Sequence, residues 1–295
     1  MNKREFLTVL GSAVLAVPVA MTAAQRSGPS PAAATPADAL AQIKARGVLR
    51  AGYIPYGPGF QVDLVSGQRR GIFHDVTALL AERLGLKLEW TEEVTFATMF
   101  EGFKAGRYDV VSSSIWVNAP RTLQGDFSQP LYYSGVAAYV RAEGVTVGDL
   151  PTLNSPSVTI ATIDGEMASV IAAQHFPQAK TLGLPNTTSV EQMLINVITR
   201  KADVTFVEDD LANRFMQQHP GSLRRLATML AVPNCIVLPL GQPALKAVID
   251  HNLALLQTEG LLEALLEKYE IVPGTLLRVA KPYADPAVRP LAQPA

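Results

Sequence analysis

Two stretches of this chain follow the same order of local patterns, and this repetition restricts the possible folds more than any other feature. In each, a helical stripe of apolar residues leads into an Asp-Val strand, with the same spacing in both (99–109 and 193–203). Each strand then turns polar, with three serines at 112–114 and an acidic run at 208–210. Alternating strands and helices are typical of α/β proteins. The sequence therefore predicts two α/β lobes of similar plan, whose polar strand ends face each other across a cleft.

The same alternation extends along most of the chain. Strands are predicted at 48–52, 86–90, 108–111, 157–161 and 203–207. Helices are predicted from Asp75 to a stop at Gly85, over the stripe Phe96, Met99, Phe100 and Phe103, from about Met167, and over 244–269 with a break at Gly260.

Composition allows a large core and excludes some classes of partner. The chain has 295 residues, 48% hydrophobic and 17% charged, which is enough for two domains. The formal net charge of −1 argues against a nucleic acid or an anionic membrane held by bulk charge. The single cysteine, Cys235, excludes an intrachain disulfide and a cysteine-based zinc cluster, and its apolar neighbours predict a buried position.

The N-terminus has the pattern of an export signal. Lys3 and Arg4 precede an apolar stretch, and small residues at 22–24 suit cleavage, so residues 1–24 are predicted to be a signal peptide. The route, twin-arginine or general secretory, stays open because Lys3 replaces the usual first arginine. No cysteine near the cleavage region offers a lipoprotein anchor. Residues 25–38 read as a flexible Pro/Ala linker, and the periplasm is the predicted location.

No catalytic or cofactor motif stands out. The sequence lacks Gly-x-Ser-x-Gly, a P-loop and a complete Gly-x-Gly-x-x-Gly. Its histidines lack the spacing of a metal-binding helix, so neither a metal nor a cofactor is predicted. Of two acidic runs, Glu92 and Glu93 are predicted to lie in a solvated loop. The run at 208–210 follows a strand directly, and one of its members is predicted to face the cleft.

The segment 109–133 carries the most specific pattern for a site. An apolar strand reaches three serines, and Pro120 and Arg121 follow before an aromatic, turn-rich stretch. Arginine offers a fixed fork of donors that matches a carboxylate, and serines and free backbone groups can complete a polar shell. The strand end is therefore predicted to line a polar crevice.

Five motifs together resemble the family-3 solute-binding proteins, the periplasmic receptors of polar amino-acid ABC importers. They are RGVLRAG at 46–52, GIFHD at 71–75, the leucine-rich stretch 79–84, segment 109–133 and GLLEALLEKY at 260–269. The resemblance covers roughly residues 40–272. It implies two lobes, each a mixed sheet flanked by helices, joined by two hinge strands. On this basis 39–135 plus 236–275 form lobe 1, 136–235 form lobe 2, and 276–295 form a C-terminal tail.

The resemblance also assigns site residues. Arg121 matches the arginine that clamps the ligand α-carboxylate; a structural ion pair is its alternative role. Ser113 and Ser114 match strand-end positions that touch the ligand. Glu208 matches the acidic residue that receives the ligand ammonium, with a salt bridge across the lobes as its competing role.

Tyr56 and Phe96 match aromatic or apolar walls, and ordinary core positions are the alternative for both. Two positions depart from the family pattern. Trp116 stands where a hydroxyl usually helps hold the ammonium, and Met167 stands where a threonine usually helps hold the carboxylate. Backbone N–H groups beside Gly165, at a helix start, could still bind an anion. Trp116 could offer a cation–π face to a positive group, or fill space left by a smaller ligand.

The resulting prediction is a non-enzymatic periplasmic receptor for a small carboxylate-bearing solute, an amino acid or derivative. Its expected partners are that solute and an ABC transporter permease, and it is expected to be a monomer without a cofactor. Two alternatives remain. One is an enzyme resembling the cyclohexadienyl dehydratases of the same fold, with Glu208 or Glu166 as general acid. The other is a periplasmic sensor or accessory protein with an altered pocket.

Overall fold

A computed structural model describes residues 38–144 and 149–280. The predicted signal peptide and all but the last residue of the predicted linker lie outside the described residues, as does the predicted tail beyond residue 280.

The described residues alternate strands and helices. The first half contains α1 (Ala39–Arg46), β1 (Val48–Tyr53), β2 (Gln61–Val62), β3 (Arg69–Arg70), α2 (Ile72–Arg83), β4 (Lys87–Glu93), α3 (Glu101–Lys104), β5 (Val110–Trp116), α4 (Ala119–Thr122), β6 (Gly125–Phe127) and β7 (Tyr132–Arg141). After a 3-10 turn at Leu150–Leu153 come β8 (Thr159–Ile163), α5 (Met167–His175), β9 (Lys180–Leu184), α6 (Glu191–Ile198), β10 (Val204–Glu208), α7 (Asp209–Gln218), β11 (Leu223–Pro239), α8 (Pro243–Thr258), α9 (Leu261–Tyr269) and β12 (Leu276–Leu277).

Two long strands at the centre of one curled sheet join the lobes. The strand order is β4-β1-β5-β11-β7-β10-β8-β9, and β11 pairs antiparallel with both β5 and β7. The parallel strands β4, β1 and β5 lie on one side of this pair, and β10, β8 and β9 lie on the other. The order confirms the predicted mixed α/β fold, with β7 and β11 in the position of the hinge strands.

Helices cover each side of the sheet with apolar residues. In the first lobe, α2, α8 and α9 bury a set that includes Ile72, Phe73, Leu80, Ile249 and Leu266. In the second lobe, α5, α6 and α7 bury their apolar faces over β8 and β10. Cys235 is buried in β11, as predicted, and burial raises its thiol pKa to about 12.

The predicted end of the strand at residue 111 is wrong. β5 continues through the serines to Trp116, and all three serines are buried. Their hydroxyls are satisfied inside the sheet: the Ser112 hydroxyl pairs with Thr77 at 2.6 Å, and Ser113 donates to the Ile54 carbonyl at 2.6 Å. Serine is tolerated in a buried strand where such partners exist.

The helix predicted over the Phe96–Phe103 stripe is also shorter than expected, because α3 begins only at Glu101. Thr95 and Thr98 each accept a hydrogen bond from the other's backbone N–H through their hydroxyls, at 3.2 and 3.3 Å. Such local side-chain bonds hold a turn in place of a helix.

Two further boundaries differ from the prediction. Glu92 and Glu93 end β4 and do not lie in a loop, and Glu92 pairs with Arg107 at 2.7 Å. The start of the predicted tail is ordered: β12 pairs with β7, and Arg278 bonds to Glu270 at 2.7 Å. Residues 276–280 therefore pack against the body of the protein.

Gly71 fixes the loop that forms one wall of the cleft described below. Its φ is +133°, and an added Cβ would lie 2.4 Å from the Gly59 carbonyl oxygen. The next two residues donate to this loop, Ile72 to Pro58 at 3.0 Å and Phe73 to Gly59 at 2.9 Å.

We expect Gly71→Ala to lower the free energy of unfolding by about 2 kcal/mol or more, since it combines backbone strain with a steric clash. Urea denaturation measures the effect. Gly67→Ala is the matched control, because Gly67 also has positive φ but nothing within 4 Å of an added Cβ; its cost should stay near 1 kcal/mol. Equal losses in the two variants would contradict a role for the close approach.

Candidate functional site

A cleft of about 780 Å³ lies between the lobes. The first lobe contributes the loop after β1 and the end of β4, and the second contributes the end of β8, the segment before α6 and part of α7. Its lining includes Ile54, Tyr56, Phe60, Gln61, Glu93, Thr95, Phe96, Ile163, Glu166, Thr187, Ser189, Glu191, Leu211 and Arg214. Aromatic walls with a few polar groups are typical of small-molecule sites.

Arg121 is buried at the junction of the two lobes. It lies in the short α4, whose first turn is capped by Asn118, which accepts from the Arg121 N–H at 2.9 Å. The side chain donates from Nη1 to the Trp116 carbonyl at 2.9 Å and from Nη2 to the Gly165 carbonyl at 2.8 Å. The residue is only 5% exposed. The bond to Gly165 connects the lobes directly, since α4 belongs to the first and Gly165 to the second.

Two aromatic rings cover the guanidinium. Its central carbon lies 5.4 Å from the Phe96 ring centroid and 5.6 Å from that of Trp116. Phe96 also lines the cleft and packs edge-on against Tyr56, with centroids 5.2 Å apart. The cation beside Trp116 is thus Arg121 itself. Arg121 itself is not among the residues that line the cleft. Phe96 lies between the two, since it lines the cleft and also contacts the Arg121 guanidinium.

Two buried carboxyl groups face the same region. Glu208, at the end of β10, accepts from the Tyr56 hydroxyl at 2.5 Å, a second direct link between the lobes. Glu166 caps α5 by accepting from the Ala168 N–H at 2.7 Å. Both side chains are almost fully buried.

Burial dominates the electrostatics of this group. Burial, followed by the neighbouring Glu208 charge, raises the pKa of Glu166 to about 8. Burial likewise raises the pKa of Glu208, and it lowers the pKa of Arg121 to about 10. Each effect follows from the cost of holding a charge away from water. The site therefore holds one arginine and two carboxyl groups that retain protons more readily than usual.

The serine hydroxyls are already engaged. The Ser113 hydroxyl donates to Ile54, and that of Ser114 pairs with the Tyr132 hydroxyl at 2.7 Å. Ser114 lies beside Tyr56 and Glu208 around a small enclosed space of about 10 Å³. Met167 is fully buried at the start of α5 and is not among the cleft-lining residues.

The structure thus brings together seven of the nine predicted site residues. One group is Arg121, Trp116, Phe96 and Gly165; beside it are Tyr56, Glu208 and Ser114. Whether these residues bind a ligand stays a prediction. The Ser113 hydroxyl and the Met167 side chain are surrounded by protein, as is typical of core residues.

Sequence reasoning gave too little weight to Glu166 and missed the segment before α6. The sequence offers Glu166 only as an acid for an enzyme, because glutamate is not among the residues that usually cap helix N-termini. The structure nevertheless places it at the N-cap of α5. The segment at 186–191, with Thr187, Ser189 and Glu191, carries no motif, and only the folded chain shows that it lines the cleft.

Two structural absences concern the described ranges alone. Within residues 38–144 and 149–280, no cluster of His, Cys, Asp or Glu side chains is arranged to hold a metal ion. No helix in those ranges combines the length and the apolar character needed to span a bilayer.

Comparison with known sequences identifies relatives along most of the chain. Residues 49–271 match the profile of the bacterial extracellular solute-binding proteins, family 3. Membrane-bound lytic murein transglycosylase F of Aeromonas hydrophila is 27% identical over 63% of this chain, but the match spans only 37% of that protein. A protein named cyclohexadienyl dehydratase from Pseudomonas aeruginosa is 24% identical over 78% of this chain and 85% of its own. A Haemophilus influenzae protein, named a probable amino-acid ABC transporter-binding protein, is 24% identical over 67% and 75% of the two chains.

Solved structures support the same fold. An ancestral amino acid-binding protein, described as a precursor of cyclohexadienyl dehydratase, superposes with a TM-score of 0.70 at 24% identity, covering 79% of this chain and all of its own. An amino acid ABC transporter substrate-binding protein from Streptococcus pneumoniae, bound to L-arginine, gives a TM-score of 0.67 at 24% identity, covering 82% of this chain and 100% of its own.

Proposed function

This chain belongs to the bacterial extracellular solute-binding proteins, family 3, and on that premise we propose that it binds a small carboxylate-bearing solute in the cleft between its lobes. An amino acid or a derivative is the class that fits. The protein acts as a monomer in the periplasm and presents the closed complex to the permease of an ABC importer.

The main support for this proposal is that Arg121 is buried without a carboxylate partner among the described residues. Its guanidinium is buried, its hydrogen bonds go to two backbone carbonyls, and within the described ranges it forms no ion pair with a carboxylate. Buried charges are normally paired, because an uncompensated charge away from water is costly. Burial also raises the pKa of Glu166 and of Glu208, which weakens both as sources of the counter-charge that Arg121 lacks. A ligand carboxylate supplies it and matches the arginine fork.

Binding and closure are coupled through the two bonds that join the lobes. The ligand carboxylate takes the place of the Gly165 carbonyl on Nη2, or shares that donor with it. Glu208, now bonded to Tyr56, receives the ligand ammonium. Both contacts form only when the lobes meet, so a hinge motion of β7 and β11 would trap the solute.

A thermal-shift screen of amino acids, polyamines and organic acids tests the proposal. A true ligand raises the melting temperature as its concentration increases. A ligand present at a hundred times its Kd stabilises the folded protein by about 2.7 kcal/mol. We expect carboxylate-bearing compounds among the stabilisers. Stabilisation by carboxylate-free compounds alone would contradict the proposal.

A dehydratase activity is the second candidate, favoured by one observation. Glu166 is a buried carboxyl in the cleft wall with a pKa raised to about 8, which suits a general acid near neutral pH. The Pseudomonas aeruginosa relative carries the matching name. Turnover of prephenate or arogenate, abolished by Glu166→Gln, would support this candidate; binding without turnover supports the receptor.

A further inference from the structure

The cleft is lined by more acidic than basic side chains. Glu93 lines it from the first lobe, and Glu166 and Glu191 line it from the second. Arg214 is the one basic residue in this lining among the described residues, and its Nη2 lies 3.7 Å from the Asp210 carboxylate. Arg214 therefore has an acidic partner of its own, and the exposed carboxylates of Glu93 and Glu191 give the cleft a surplus of negative charge.

Glu93 and Glu191 stand on opposite walls. Glu93 ends β4, Glu191 begins α6, and both are exposed. The ion pairs formed by glutamates in the described ranges involve Glu89, Glu92, Glu259, Glu263 and Glu270, and neither of these two. Carboxylates on facing walls of one cleft repel each other, and a cation bound between them relieves that repulsion.

We propose that the solute is a basic amino acid or a close derivative, an inference that rests on the proposed function. Its carboxylate lies on Arg121, and the cationic end of its side chain lies in the acidic cleft between Glu93 and Glu191. These two glutamates are then specificity-determining residues, outside the set that holds the α-carboxylate and α-ammonium.

The shape and chemistry of the cleft suit such a side chain. Its volume of about 780 Å³ leaves room for a long side chain beyond the two α-groups. Tyr56, Phe60 and Phe96 contribute aromatic walls, along which the aliphatic stem of a basic side chain packs while its charged head reaches the acidic groups.

Two pairs of matched ligands test the charge preference by isothermal titration. L-Arginine and L-citrulline differ by a guanidinium against an uncharged ureido group, and L-lysine and L-norleucine differ by the terminal ammonium. We expect the charged member of at least one pair to bind about tenfold or more tightly than its neutral counterpart, the effect of one charge-assisted contact.

The double variant Glu93→Gln, Glu191→Gln assigns the preference to these positions. Both residues are exposed, so the variant should fold, and the ratio of affinities within the pair should fall towards one. Glu267→Gln, exposed on α9, is the control and should leave the ratio unchanged.

The results separate this inference from the proposed function. Equal affinities within both pairs, or a preference that survives the double variant, would overturn the cationic class while leaving a carboxylate receptor intact. No binding of any carboxylate compound, here and in the wider screen, would overturn both.

Discussion

Arg121→Ala is expected to weaken solute binding at least a hundredfold while the protein stays folded. The variant removes the buried cation that the ligand carboxylate is proposed to meet, and truncating one partner of a buried charge pair typically costs about 2–5 kcal/mol of binding. The Trp116 and Gly165 carbonyls lose their bonds to Arg121. Removing an unpaired buried charge offsets part of that loss, so we expect the free energy of unfolding to change by less than about 2 kcal/mol.

Two further variants make the experiment specific. Arg121→Lys keeps the charge but not the fork, so its affinity should lie between wild type and alanine. Arg107→Ala removes a partly exposed arginine paired with Glu92, and it should bind normally. Titration calorimetry gives the affinities and circular dichroism the fold. Wild-type affinity in a folded Arg121→Ala protein would overturn the assignment.

The second large effect concerns stability and its dependence on pH. The folded-state pKa of Glu166 is about 8 against an ordinary value of 4.5, so between these values the native state binds more protons than the unfolded chain. Stability from this group is therefore fully present below about pH 4.5 and is lost as pH rises towards 8. At pH 7 the destabilisation is about 3 kcal/mol, at about 1.4 kcal/mol per pKa unit.

Glu166→Gln should remove this penalty. Glutamine does not ionise, and its side-chain oxygen can still accept from the Ala168 N–H. We expect the free energy of unfolding of the variant to exceed that of wild type by about 1 kcal/mol or less at pH 5 and by about 3 kcal/mol at pH 7. Urea denaturation at both pH values checks this, with Glu267→Gln as the exposed control. A gain of the same size at pH 5 and pH 7 would show that the group does not titrate as described.

Local patterns predicted the fold well because each element carries its own signal. The break between α8 and α9 follows from Gly260, and the start of α5 from the turn at Gly165. The errors came where tertiary partners override local chemistry. The serines of β5 read as a strand end, yet Thr77 and the Ile54 carbonyl satisfy two of their hydroxyls.

The site was harder to predict than the fold, since it forms only when distant segments meet. Arg121 and Glu208 could be singled out because a fork of donors and a strand-end carboxylate each suggest a role. The Gly165 carbonyl and Glu191 could not, because the sequence carries no signal for either. The first is recognised by its bond to Arg121 across the lobes, and the second by its place in the cleft wall.

The central claim is that Arg121 binds a ligand carboxylate, and a double-mutant cycle tests it most directly. The cycle measures the affinities of wild type and Arg121→Ala for the amino acid found by screening and for its decarboxylated amine, agmatine in the case of arginine. We predict that loss of the carboxylate weakens binding to wild type at least a hundredfold but has little effect on the variant, a coupling of about 2.7 kcal/mol or more. The same loss in both proteins would show that Arg121 does not bind the carboxylate.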